Sequence, residues 1–160
     1  MKKSMFEKPL RERELKDWFV GAFVGKFDAV QPSRGSTVGL SDLVIHYRDV
    51  TLLPVELKVG TYDPKAHTIH SSRVRPAQIR WHHLFNHKGG HSLFLVGVGF
   101  SPLFSIWAVP GSCVRELASA GTEFCKRVKA GAVYHGSGRG KPDALFTQEL
   151  NEAIDWASRL

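Results

Sequence analysis

The order of apolar patterns along the chain predicts one mixed α/β domain, a central mixed β-sheet flanked by helices. Three observations carry that expectation. A helical apolar stripe opens the chain, two β-branched runs follow with a two-residue turn between them, and two short continuous apolar runs come after a second helical segment. With 160 residues, 42% of them hydrophobic and 11% aromatic, there is material for one real core. The same composition excludes a disordered, fibrous or disulfide-framed chain.

In positions 9–27, Leu15, Trp18, Phe19, Ala22 and Phe23 recur at the spacing of one helix face, with Pro9 expected in the first turn. Residues 31–39, from Gln31 and Pro32 through Arg34, Gly35 and Ser36 to Gly39, read as a loop. Residues 43–47 and 50–59 read as antiparallel strands joined through Arg48 and Asp49. Residues 60–75 lose apolar character and are expected to form a long mobile loop. A second helix starts at Pro76 and stops at Lys88, Gly89 and Gly90. Residues 93–100 and 104–109 read as strands covered on both faces. A third helix is expected near 112–128, a glycine-rich loop at 131–140 and a final helix at about 147–160. No repeat or linker divides the chain, so the domain is taken as 1–160, with a core of about 9–110 and a helical extension of about 111–160.

Lys+Arg number 22 against 15 Asp+Glu, a net charge of +7 that makes nucleic acid or an anionic membrane surface the natural partner classes. No run approaches the roughly 20 apolar residues of a spanning helix, and the N-terminus lacks a signal-peptide pattern. The expectation is a cytoplasmic protein, in the host cytoplasm if virus-encoded, with no membrane partner. The two cysteines, Cys113 and Cys125, fall in the expected third helix, where twelve residues place them roughly 18 Å apart, too far for a disulfide.

The chemistry concentrates in Gly39-Leu40-Ser41-Asp42 and, fourteen residues after Asp42, in Val55-Glu56-Leu57-Lys58-Val59. Alternation along a strand sends Val55, Leu57 and Val59 to one face, into the core. Glu56 and Lys58 are left on the other, about 7 Å apart. With Asp42 at the mouth of the preceding strand, two carboxylates converge where a hard divalent cation finds oxygen ligands, and a lysine stands beside them. Such a set suits phosphodiester hydrolysis. An isolated E-x-K would more often be an exposed cross-strand pair of little energetic weight.

The order G-x-S-D, V-E-L-K and then Val74-Arg75-Pro76-Ala77-Gln78 resembles the PD-(D/E)XK nuclease superfamily, and within it the virus-type replication-repair nucleases and archaeal Holliday junction resolvases. The resemblance spans Glu12 to Phe100. It departs at Ser41, where many members carry proline. It implies a restriction-endonuclease-like core and a metal-dependent DNA endonuclease. Asp42, Glu56 and the backbone carbonyl of Leu57 would bind Mg²⁺ or Mn²⁺, Lys58 would serve the attacking water, and Gln78 would orient the site. It further implies a glutamate ligand from helix 1, with Glu7, Glu12 and Glu14 as candidates. At about 100° per residue from Leu15, Glu12 falls near +60°, beside the apolar stripe centred near +10°, and Glu14 near 260°. Glu12 is therefore preferred, with Glu14 next.

Between 61 and 91 lie five Lys/Arg against one Asp, and six of the eight histidines. This stretch is expected to face DNA rather than to bind zinc through His83, His87 and His91, because no cysteine or second half-site accompanies them. Lys65, Arg73, Arg75 and Arg80, with Arg34 and Ser36 of the earlier loop, are the DNA-binding candidates. By resemblance the substrate is branched or junction DNA, and the two-fold symmetry of a junction suggests a homodimer. The rival readings are a sequence- or nick-directed endonuclease of the same fold, of restriction or transposition type, and a non-catalytic DNA-binding module. Pro142-Asp143 reads as a turn, and residues 136–141 fail the phosphate-loop pattern at His135 and Pro142.

Overall fold

The structure is a computed structural model that describes residues 8–23, 30–32, 42–47, 51–101, 103–128, 151–153 and 155–156. Among them a seven-stranded mixed sheet separates two layers of helix. In chain order the elements are β1 (Lys8–Pro9), α1 (Glu12–Phe23), β2 (Val30–Pro32), β3 (Leu43–Tyr47), β4 (Thr51–Val59), β5 (Thr61–Asp63) and β6 (Thr68–His70). There follow α2 (Pro76–His87), β7 (Leu93–Ser101), β8 (Leu103–Pro110), a 3₁₀ turn (Gly111–Cys113), α3 (Val114–Ser119) and β9 (Lys126–Val128).

The sheet order is β2-β3-β4-β7-β8-β9. Among the described residues only β4 and β7 run parallel, with Glu56 opposite Phe94 and Lys58 opposite Val96. Their connection carries α2, as a parallel crossover requires. Strand β1 pairs with β7 at Phe100 and Ser101, beyond the end of β4, so the chain enters α1 beside that end.

Strand alternation divides the core in two. Leu53, Val55, Leu57, Leu93, Leu95, Ile106 and Ala108 point to one face and pack with Leu15 and Phe19 of α1 and with Ala153. Phe94, Val96 and Val109 point to the other face and pack with Ile69, Val74, Val114 and Leu117. Phe19 is wholly buried, and its truncation to alanine would cost about 3–5 kcal/mol. Trp156 lies against the first cluster and Trp107 against the second, both partly buried.

Several expectations are revised. Pro9 belongs to β1, and α1 begins only at Glu12. The segment 60–75 is not a simple loop. It holds the β5–β6 hairpin, whose turn is fastened by Asp63 Oδ1 accepting from the backbone N–H of Lys65 (2.8 Å) and Ala66 (3.2 Å). His67 takes a left-handed φ of 54° in that turn. The hairpin docks by paired backbone bonds between Ile69 and Thr122 (3.0 and 2.8 Å) and by Ser71 N–H to the Leu117 carbonyl (2.9 Å). These partners are some fifty residues away in the chain, which is why local composition does not reveal them.

The helix expected near 112–128 is short, ending at Ser119, and the chain then turns at Gly121 (φ 85°) into β9, which extends the sheet. Residues beyond 110 are thus partly sheet rather than a helical extension. No single helix joins Cys113 to Cys125, so the 18 Å separation does not apply. Both thiols are free and half-buried. Burial pushes both up, and the neighbouring Cys113 raises Cys125 further. Residues 131–140, the Pro142-Asp143 pair and the residue pair Arg34 and Ser36 lie outside the described residues, as does Glu7. No helix among the described residues is long and apolar enough to cross a membrane.

Candidate active site

The site is built from four elements around one buried carboxylate. Glu56 and Lys58 leave β4 on the face opposite Leu57, as alternation requires, yet that face is covered by α2. Gln78 and His82 of α2 lie over Glu56, and the Glu56 and Lys58 side chains are almost completely enclosed, at 0% and 3% exposure. The long lysine side chain closes the distance between neighbouring positions and brings Nζ to 3.3 Å from Glu56 Oε1. Leaving either charge alone at this depth would be costly.

Gln78 supplies a further contact. It is the third residue of α2, where its Oε1 accepts the backbone N–H of Arg75 at 3.0 Å. That bond satisfies one of the donors left open at a helix start and fixes which way the amide faces. Its Nε2 is then turned to Glu56 Oε1, to which it donates. Pro76, with no N–H to leave unsatisfied, opens the helix. A left-handed Gly89 (φ 90°) closes it, with Gly90 N–H on the Phe85 carbonyl at 3.0 Å.

Asp42 stands at the entry to β3, and its Oδ2 accepts the Leu57 N–H at 3.1 Å. Burial raises its pKa above the ordinary carboxylate value, and the charge of Glu56 raises it further. The Leu57 bond, Lys58 and Lys16 oppose the rise without cancelling it. For Glu56 burial also works upward, but His82 and Lys58 together outweigh it and hold the group below its ordinary value.

Glu12 opens α1 and reaches Lys58, with Oε2 at 3.9 Å from Nζ. Glu14 sits two positions on, with Oε2 buried and without a hydrogen-bond partner among the described residues.

Of the DNA-binding candidates, Lys65, Arg73, Arg75 and Arg80 are all exposed. Arg73 also lines an open cleft of about 210 Å³ with Pro9, Leu10, Val59, Gly60 and Gly97, just past Lys58 on β4. Trp81 stacks on Phe85 with ring centroids 4.8 Å apart and is partly buried. His83 and His87 stack on each other at 6.2 Å on the exposed side of α2.

One site residue escapes the sequence reading. His82 is wholly buried and faces Glu56, with Nε2 at 3.8 Å from Oε2. Its signal was present in the spacing: Gln78, His82 and Asn86 fall at i, i+4 and i+8, one stripe of α2.

The donor chemistry suits a hard cation. Glu56 and Glu12 reach one lysine from β4 and α1, and Asp42 stands near them at the entry to β3, its pKa raised first by burial and then by the charge of Glu56. One oxygen each of Glu12 and Glu56 is buried without a hydrogen-bond partner among the described residues. As placed, with Asp42 turned to the Leu57 N–H, no three His, Cys, Asp or Glu side chains among the described residues form a closed ligand cage. Comparison with protein-family models, curated proteins and solved structures gives no match to this chain.

Proposed function

We propose that this protein is a metal-dependent DNA endonuclease with a restriction-endonuclease-like core. The observation that carries the reading is the approach of Glu56 and Glu12 to the buried Lys58, at 3.3 and 3.9 Å, with Asp42 held nearby on the Leu57 N–H, at the end of a strand flanked by exposed cations. Mixed-sheet topology with β4 and β7 parallel across α2 is compatible with that core.

In this reading Asp42, Glu56, the Leu57 carbonyl and Glu12 hold Mg²⁺ or Mn²⁺. The bound cation would supply a water of lowered pKa and neutralise charge developing on phosphate. The chain's own contribution is placement. Gln78 fixes the Glu56 carboxylate, and the Leu57 N–H fixes Asp42. Lys58, held by Glu56 and Glu12, orients the attacking water and stabilises negative charge on the phosphate. Lys65, Arg73, Arg75 and Arg80 receive the DNA backbone over carboxylates that would otherwise repel it. Branched or junction DNA is the proposed substrate and a homodimer the proposed assembly; both rest on the motif resemblance alone.

The test is incubation with labelled linear, flapped and four-way DNA, with and without Mg²⁺. Cleavage that needs the cation and favours branched substrates is expected. Binding of all substrates without cleavage in Mg²⁺ or Mn²⁺ would favour a DNA-binding module, and preference for one linear sequence a restriction-type enzyme.

A further inference from the structure

The two oxygens of Glu56 keep different company. Oε1 is held by Gln78 and Lys58. Oε2 has no hydrogen-bond partner among the described residues, and neither has His82 Nε2, although both atoms are buried and stand 3.8 Å apart. An acceptor and a ring nitrogen that face each other in a closed space at this separation fall just short of a hydrogen bond. A shift of under about 1 Å would complete it.

The other side of the imidazole is firmly tied. Nδ1 lies 2.7 Å from Ser92 Oγ. Asn86 Nδ2 donates to the same Oγ at 2.8 Å and to the His82 carbonyl at 2.7 Å. With Asn86 as donor, the serine proton is free to point at Nδ1, which leaves the ring hydrogen on Nε2, toward Glu56. The space around this chain of contacts is full. A Cβ added at Gly111 would overlap Ser92 Oγ and come within 2.9 Å of Asn86 Nδ2. The Phe94 ring is tilted against the imidazole, with centroids 4.5 Å apart.

We propose that His82 is a positioning residue. Anchored through Ser92 and Asn86, it presents Nε2–H to the free oxygen of Glu56 and, opposite Gln78, sets the angle at which that carboxylate meets the cation. The inference rests on the metal-dependent reading above. It differs from a core histidine that only fills space, because it assigns separate tasks to the two ring nitrogens.

Two substitutions divide those tasks. His82→Gln keeps an amide nitrogen at the reach of Nε2, whereas His82→Asn can still meet Ser92 but ends short of Glu56. The readouts are Mn²⁺ affinity of the DNA-free protein by electron paramagnetic resonance, kcat and KM on cleaved DNA, and Tm. We expect His82→Asn to weaken Mn²⁺ binding by roughly 10–100-fold, the range typical of groups that orient a metal ligand. It should lower kcat while leaving KM for DNA unchanged, and His82→Gln should recover most of both losses.

Equal Mn²⁺ affinity in wild type and His82→Asn would overturn the assignment, as would equal losses in the two variants. If His82→Asn does not fold, Ser92→Ala, which removes one hydroxyl and leaves the ring, carries the same comparison, with wild-type affinity counting against the proposal. A wild-type protein that binds no Mn²⁺ would refute the metal reading itself and this inference with it, and the wild-type titration alone identifies that case.

Discussion

Replacing Asp42 or Glu56 by its amide separates charge from shape. Alanine at position 56 would strand the Lys58 ammonium and the Gln78 amide in a closed space, and breaking a buried pair in that way costs about 3–5 kcal/mol. A loss of cleavage in Glu56→Ala would thus be confounded with loss of folding. Glu56→Gln and Asp42→Asn keep acceptors for Gln78, Lys58 and the Leu57 N–H, and each is expected to abolish Mg²⁺-dependent cleavage while binding DNA as before. Wild-type cleavage by either would reject the site.

The two carboxylates also respond oppositely to acid. Glu56, lowered on folding, contributes stability that is complete above 4.5 and disappears as pH falls through its folded value. Asp42, raised, weakens the fold when charged, and that penalty is relieved between its folded value and 3.8. Urea unfolding in EDTA should therefore show Asp42→Asn at least as stable as wild type near neutrality. Its advantage should shrink as pH falls toward 3.8, and a constant difference would contradict the origin given for the shift.

At the scale of elements, the site depends on how α2 is clamped to the sheet. Gly111 N–H bonds to the Ser92 carbonyl at 2.7 Å, joining the 3₁₀ turn to the start of β7. Gly111→Ala is expected to displace Ser92 and Asn86 at a cost of about 1–3 kcal/mol, the usual range for overpacking, read as a lower urea midpoint. Gly60 plays a similar part where the hairpin leaves β4, since a Cβ there would overlap the His70 carbonyl and come within 2.7 Å of Val96 Cγ1. An undiminished midpoint in Gly111→Ala would show that the network gives way without cost.

For the whole molecule, the charge of +7 matters through its placement. Lys65, Arg73 and Arg80 are exposed, so their joint replacement by alanine should leave Tm unchanged within a degree or two. It should weaken DNA binding and reduce the magnitude of the log K against log salt slope by roughly 2–3 if all three meet phosphates, at about 0.9 per contact. An unchanged slope would move the DNA path elsewhere. Sedimentation with and without junction DNA tests the proposed homodimer, for which a monomer in both states would be a refutation.

By itself the sequence determined the parts whose physics is local. Alternation in Val55-Glu56-Leu57-Lys58 assigned side chains to faces, and Pro76 and Gly89-Gly90 bounded α2. Distant partners decided the rest. The hairpin at Thr61–Asp63 and Thr68–His70 is held because Thr122 exchanges backbone bonds with Ile69 and the Leu117 carbonyl accepts from Ser71 N–H just after it. The enclosure of Glu56 exists because α2 lies across the face that alternation alone would leave open. His82 shows the difference most plainly: its place on one stripe with Gln78 was legible, but its contact with Glu56 and Ser92 required β4, α2 and β7 to meet, and contacts between elements are set by packing rather than by local pattern.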